Sequence, residues 1–376
     1  MRPGADFFLG ILSGERRGVG YDALRMALAL LAGIYCAGLE LYLAAERVGL
    51  RRRTVLRVPV ISVGNLTVGG TGKTPMTHWI ASQLQTEGFR PVVLSRGHGG
   101  SLSKGTAQVS DDAGHVLLNA AEAGDEAALL AKLLPGVPVF IGKDRRASAR
   151  AAFEKFQPDL FLLDDGLQYW QLARDLDVVL LDSRQPFGNG WTLPRGTLRE
   201  PKQHLRRSGM VVVTRADLAS QDELAAVKKA VQTLAPKASV YPASHRFAEL
   251  RPLNESAARQ GTPKLALPVC GIAQPDSFFN MLSSAALPAT TERLALDDHA
   301  VYDKRTVSLI KGKLDKCGAD SIVTTEKDGV KLPLGEMDMP LYAAVMRLEI
   351  ERADEFRAEL MRRGRLPAAA DRQRSL

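Results

Sequence analysis

Cysteine is scarce: Cys36, Cys270 and Cys317 are the three in 376 residues, an odd number with no C-x-x-C pair. That excludes a disulfide framework and a zinc-finger ligand set, and it points to a reducing compartment. Aromatic residues make up 6% of the chain and no basic run is interleaved with them, so a base-stacking nucleic-acid surface is not expected. His78, His98 and His115 have no metal-ligand spacing, and no zinc site is assigned. A long apolar run is missing too. The one membrane candidate, Met26–Leu39, would measure about 21 Å as a helix against a hydrocarbon core of about 30 Å, and Glu40 follows it directly.

What is present is an ordinary globular composition, 45% apolar and 24% charged, with 33 Gly and 20 Pro. Lys and Arg number 50 against 42 acidic residues, and the net charge of +8 favours an anionic partner such as a nucleotide or an acidic lipid surface. The first 55 residues stand apart. Arg16 and Arg17 precede the apolar run, Arg51, Arg52 and Arg53 close it, and no A-x-A-like cleavage site follows at the usual place. This pattern predicts a helix lying in the membrane interface with its arginines on anionic headgroups, the alternative being a helix packed on the protein's own core.

From residue 57 onward strands and helices alternate. Strands are expected at Val58–Val63, Pro91–Leu94, Val137–Ile141, Leu160–Leu163, Val178–Leu181 and Val211–Thr214, with helices at Met76–Gln85, Asp125–Leu134 and Ala147–Phe156. That spacing predicts an α/β fold, a parallel sheet with helices on both faces. A second cluster, with strands at Ser239–Tyr241, Leu265–Val269, Ser321–Thr324 and Leu341–Met346, predicts a second, smaller α/β domain. The expected organisation is a membrane-associated segment over 1–55, a P-loop domain over 56–225, the smaller domain over 226–350, and a C-terminal helix and loose tail over 351–376.

The strongest local signal is Gly64-Asn65-Leu66-Thr67-Val68-Gly69-Gly70-Thr71-Gly72-Lys73-Thr74, set between a strand and a helix. Clustered glycines let backbone N–H groups turn in on a polyphosphate, the helix N-terminus adds its positive end, Lys73 reaches the outer phosphates, and the Thr74 hydroxyl is placed for Mg²⁺. Thr67 stands where the general P-loop pattern asks for Gly. The apolar run Leu160–Leu163 leads into Asp164-Asp165-Gly166, which puts two carboxylates at the carboxyl edge of the sheet, where a P-loop needs an acid for its metal. Thr214-Arg215-Ala216-Asp217 is a distant variant of the guanine-reading N-K-x-D, with Thr for Asn and Arg for Lys. The rival reading, a nucleotide-dependent switch or metal-delivery GTPase using the same kind of P-loop, predicts guanine preference, and this altered motif counts against it.

These motifs, followed in order by Ser95-Arg96-Gly97, Gly124-Asp125-Glu126, Asp164-Asp165-Gly166-Leu167-Gln168, Gly196-Thr197-Leu198-Arg199-Glu200-Pro201, Asp298-His299 and Thr325-Glu326-Lys327-Asp328, closely resemble the tetraacyldisaccharide 4′-kinase family, the lipid A 4′-kinases of Gram-negative bacteria. Leu167 and Tyr169 depart from it, standing where the family usually has Phe and His. The resemblance implies transfer of the ATP γ-phosphoryl to the 4′-hydroxyl of a tetraacylated glucosamine disaccharide 1-phosphate, at the cytoplasmic face of the inner membrane, with ATP and Mg²⁺ as cofactors and no obligate protein partner. It implies Asp125 as the base and His299 as its partner. Thr74 and Asp165 are then expected on the metal, with Glu200 and Asp164 behind them. Arg145 and Arg199 are expected to hold phosphate charge, Arg being suited to oxyanions.

Overall fold

The structure, a computed structural model, describes residues 10–12, 15–298 and 300–367. After the N-terminal helix α1 (Val19–Arg47), the first lobe runs β1 (Val60–Asn65), α2 (Lys73–Thr86), β2 (Pro91–Ser95), β3 (Thr106–Ser110), α3 (Asp125–Leu133), β4 (Val139–Gly142), α4 (Arg145–Phe156), β5 (Leu160–Asp164), β6 (Leu176–Asp182), β7 (Met210–Thr214) and α5 (Gln221–Leu234). The chain continues through β8 (Ser239–Pro252), β9 (Ala266–Cys270), α6 (Pro275–Ser284), β10 (Leu294–Ala295), α7 (Lys304–Cys317), β11 (Ser321–Thr325), β12 (Leu341–Ile350) and α8 (Ala353–Arg363).

One twelve-stranded sheet carries both lobes, in the order β10-β9-β11-β12-β8-β7-β6-β1-β5-β2-β4-β3. β1 is buried at every residue because it lies between parallel neighbours, β5 and β6, and is covered on both faces; apolar Val60, Ile61 and Val63 and polar Ser62 and Asn65 are all buried, with no in-and-out alternation. Met76, Ile80 and Leu84 of α2 cover one face, and Leu66, Leu167 and Leu198 with the α5 residues Val227 and Val231 lie in the cluster on the other. Pairing is parallel throughout except at the edge strand β3 and between β8 and β12.

The handover between lobes is made by β8. Its first residues pair with β7 and the rest pair antiparallel with β12. Only Ser239–Tyr241 was expected as strand; Pro242 and the outward Arg246, Glu249 and Arg251 mask the remainder. The boundary expected at 225/226 is corrected by the same geometry. It falls inside α5, whose apolar face is packed in the first lobe. The C-terminal helix also returns there. Phe356 of α8 is fully buried, edge-on to Trp79 at 5.3 Å and to Tyr241 at 5.0 Å between ring centroids.

α1 has 29 residues and is, among the described residues, the one helix long and apolar enough to cross a membrane. Leu28, Ala32 and Leu43 are its buried residues, one stripe at helical spacing. Met26, Leu30, Leu31, Ile34 and Leu41 are exposed. That disfavours the alternative of a core helix, which would have hidden these side chains.

Candidate active site

The loop between β1 and α2 bends at two left-handed glycines, Gly69 (φ 109°) and Gly72 (φ 85°). At Gly72 a Cβ would also stand 3.1 Å from the His245 ring, so backbone freedom and space both demand glycine. The loop is gripped on both sides. On one, Val68 N–H donates to the Thr197 carbonyl (2.8 Å), Arg199 N–H donates to the Leu66 carbonyl (2.7 Å), and Thr67 bridges Leu198. On the other, Arg215 donates to the Gly70 carbonyl at 2.7 Å and pairs with Asp182. Arg215 thus serves as a buttress of the loop. Thr71 Oγ1 and Asn65 Nδ2 are buried without a protein partner, as suits donors kept for phosphate oxygens. Lys73 opens α2, with Thr74 next in its first turn, and its Nζ lies 3.3 Å from Asn65 Oδ1 and 3.7 Å from Asp165 Oδ1.

The two aspartates at the end of β5 have different surroundings. Asp164 points beneath α2, accepting hydrogen bonds from Thr77 Oγ1 (2.9 Å) and Ser95 Oγ (3.4 Å), and is buried. Burial, with Glu126 and Asp165 nearby, pushes its carboxyl well above the ordinary carboxylate value. Asp165 takes a left-handed backbone conformation (φ 50°). Its two oxygens meet Arg199 Nη1 at 2.8 and 2.9 Å. Burial opposes its charge, but Lys73 and Arg199 outweigh that and hold its pKa below the ordinary carboxylate value.

Beside Asp165 opens a cavity of about 550 Å³ whose lining includes Arg96, Lys104, Lys143, Arg145, Arg146 and Arg199, together with Asp144, which pairs with Arg146. Six cations against two carboxylates fit an anionic ligand. Arg145 is buried rather than on a solvated helix face, with its guanidinium 4.9 Å from the centre of the Tyr169 ring. Lys104, Lys143 and Arg146 were not singled out from the sequence, because scattered cations carry no spacing signal.

Asp125 is the first residue of α3, buried, at the seam between the lobes. Lys331 of the second lobe places its Nζ 3.6 Å from Asp125 Oδ2 and 3.0 Å from Asp328 Oδ1. Asp328 is held in turn by the Thr325 hydroxyl (2.7 Å) and the Gly271 N–H (2.9 Å), so the Thr325–Asp328 motif brings Lys331 to Asp125. His299, expected as partner of Asp125, lies outside the described residues.

Glu200, expected behind Thr74 and Asp165 on the metal, is engaged here by protein partners. It is fully buried, and its oxygens accept from Arg207 Nη1 (2.6 Å) and Nη2 (2.8 Å), Gln168 Nε2 (2.7 Å) and, at 2.9 Å, His204 Nδ1. Against burial, His204, Arg207 and Gln168 bring its pKa down to about 2. Partners four and seven residues along the same segment were the signal in the sequence.

Comparison with known proteins agrees with this geometry. A family model described as tetraacyldisaccharide-1-P 4′-kinase matches residues 24–365. The tetraacyldisaccharide 4′-kinase of Pelobacter propionicus is 40% identical over 359 residues, covering 93% of this chain and 95% of that protein. That of Geobacter sulfurreducens is 41% identical over 345 residues, covering 91% and 94%. The crystal structure of LpxK from Aquifex aeolicus in complex with ATP superposes with a TM-score of 0.70 at 27% identity, covering 90% of this chain and 99% of that one. The chain belongs to the tetraacyldisaccharide-1-P 4′-kinase family.

Proposed function

We propose that the chain transfers the γ-phosphoryl group of ATP to the 4′-hydroxyl of tetraacyldisaccharide 1-phosphate, giving lipid IVA in lipid A biosynthesis. The observation that carries this reading is the family match over residues 24–365 on a chain whose Lys73 and Arg199 converge on Asp165 beside a cationic cavity. The P-loop N–H groups from Gly69 to Gly72 and Lys73 hold the β- and γ-phosphates, while Arg199 and Arg145 take up charge that develops on the transferred group. Asp125 accepts the proton of the attacking hydroxyl, a poor nucleophile until that proton has a destination. Lys331 places a positive charge 3.6 Å from Asp125, and the two-strand connection of β8 and β12 lets the second lobe close on the acceptor.

Mg²⁺ fits the donors present. Asp164 and Asp165 are adjacent carboxylates of which one is pushed towards neutrality, and Thr74 offers a hydroxyl at the phosphate end of α2. Thr74 with Asp164 and Asp165 would hold the ion, which when bound would supply charge neutralisation on the phosphates.

The exposed face of α1, with arginines at both ends, fits a helix lying in the cytoplasmic face of the inner membrane, where acyl chains stay in lipid and the sugar enters the cleft. The test is incubation with γ-labelled ATP, Mg²⁺ and tetraacyldisaccharide 1-phosphate in mixed micelles, beside a GTP control. Label is expected in the lipid with ATP. GTP hydrolysis without lipid labelling would overturn the reading in favour of a nucleotide-dependent switch.

A further inference from the structure

Glu40 is the single charged residue between Arg25 and Glu46 in an otherwise apolar helix. A carboxylate in such a place is costly towards lipid and calls for a partner. It has one. Glu40 Oε1 lies 2.6 Å from Nε2 of His204, whose ring is buried, and the other Glu40 oxygen faces Arg47 at 3.6 Å. His204 Nδ1 is 2.9 Å from Glu200. An imidazole with a carboxylate at each nitrogen donates at both only as the imidazolium, and the two acids outweigh burial to hold the His204 pKa above its ordinary value.

From Glu200 the contacts continue inward. Gln168 Nε2 donates to Glu200 Oε1 (2.7 Å) and to the Asn65 carbonyl (3.0 Å), which turns its Oε1 to Arg199 Nη1 at 3.2 Å. That same Nη1 holds both oxygens of Asp165, which faces Lys73. A second contact runs alongside, where the Tyr35 hydroxyl of α1 donates to the Arg199 carbonyl. The segment from Thr197 to His204 therefore lies between α1 and the P-loop. Its outer side carries Glu40 and Tyr35, and its inner side carries the loop's backbone contacts.

We propose that Glu40 is a positioning residue for phosphoryl transfer: through His204, Glu200 and Gln168 it holds the Arg199 guanidinium in place on Asp165. The membrane helix then sets the geometry of the phosphate site as well as the enzyme's place on the bilayer. This rests on the kinase reading above. Small displacements of a charged donor at a reacting centre are costly, so the consequence falls on turnover and not on lipid capture.

The full-length protein tests it in mixed micelles. Glu40→Gln is isosteric and keeps the helix packed, so it decides the matter should Glu40→Ala fail to fold. The expected result for Glu40→Gln is a fall in kcat of about tenfold, an unchanged KM for the lipid acceptor, and undiminished flotation with anionic phospholipid vesicles. In a cycle with Gln168→Ala, the double variant should lose much less than the product of the two single losses, because both break the same chain of contacts. Wild-type kcat in Glu40→Gln, or losses that simply multiply, would overturn the proposal. A lowered melting temperature with wild-type turnover per folded molecule would also overturn it, since that is what a merely structural contact gives. Lipid labelling by the wild type reports on the kinase reading alone, and the ratio of variant to wild type reports on Glu40.

Discussion

The P-loop is held from both sides by residues of its own lobe, the Thr197–Arg199 backbone on one side and Arg215 on the other, whereas Asp125 sits where two lobes meet and has Lys331 of the other lobe 3.6 Å away. The backbone contacts that hold the loop thus come from the first lobe. The surroundings of Asp125 depend on how the second lobe sits, and that lobe is attached through β8 and β12. A kinase acting on a bulky lipid gains from this division, since the nucleotide can stay seated while the acceptor side opens.

Three measurements would break or sharpen the contrast. The largest effect is expected at the seam. Asp125→Asn should lower kcat by about 10³-fold, within the range for a general base, with nucleotide affinity intact by equilibrium titration. Lys73→Ala should lose about 10²- to 10³-fold and weaken ATP binding as well. Equal losses of ATP affinity in the two variants would erase the distinction. Next comes the core that α8 completes. Phe356→Ala should cost about 3–5 kcal/mol in denaturant unfolding, because the ring is fully buried in the first lobe despite its place near the end of the chain. A cost under about 1 kcal/mol would mean that α8 is dispensable to that lobe.

The smallest effect concerns the contact between α1 and the first lobe. His204 has a folded pKa raised above its unfolded value, so its contribution is fully present below about pH 6.5 and is lost as pH rises through the folded value. The melting temperature should therefore fall on the alkaline side, and His204→Gln should flatten that part of the profile. A wild-type profile as flat as the variant's would show that the imidazolium adds nothing to docking.

Much of the first lobe was legible because each signal there is local. A β-branched run, a Gly and Thr loop and a Lys-Thr helix start lie within about a dozen residues, and the acids of β5 follow an apolar strand. Which acid faces the cleft was not legible, since it depends on the left-handed turn at Asp165. That Glu200 is held by Arg207, His204 and Gln168 was not read from the sequence, since a carboxylate's residue type is the same whatever partners the fold gives it. Lys331 was missed for a similar reason, as its meeting with Asp125 is made by tertiary structure. The length of β8 was hidden by proline and outward charges, features that normally mark a strand's end.

The return of α8 to the first lobe also bears on how the protein is made. Phe356, Leu360 and Leu366 belong to the same core cluster as Ile61 and Val63 of β1, about 300 residues earlier in the chain. A ribosome releases β1 well before α8, so the cluster the two share is filled only after α8 has emerged. Through that interval the apolar residues of β1 that α8 covers, Ile61 and Val63 among them, lack part of their final packing.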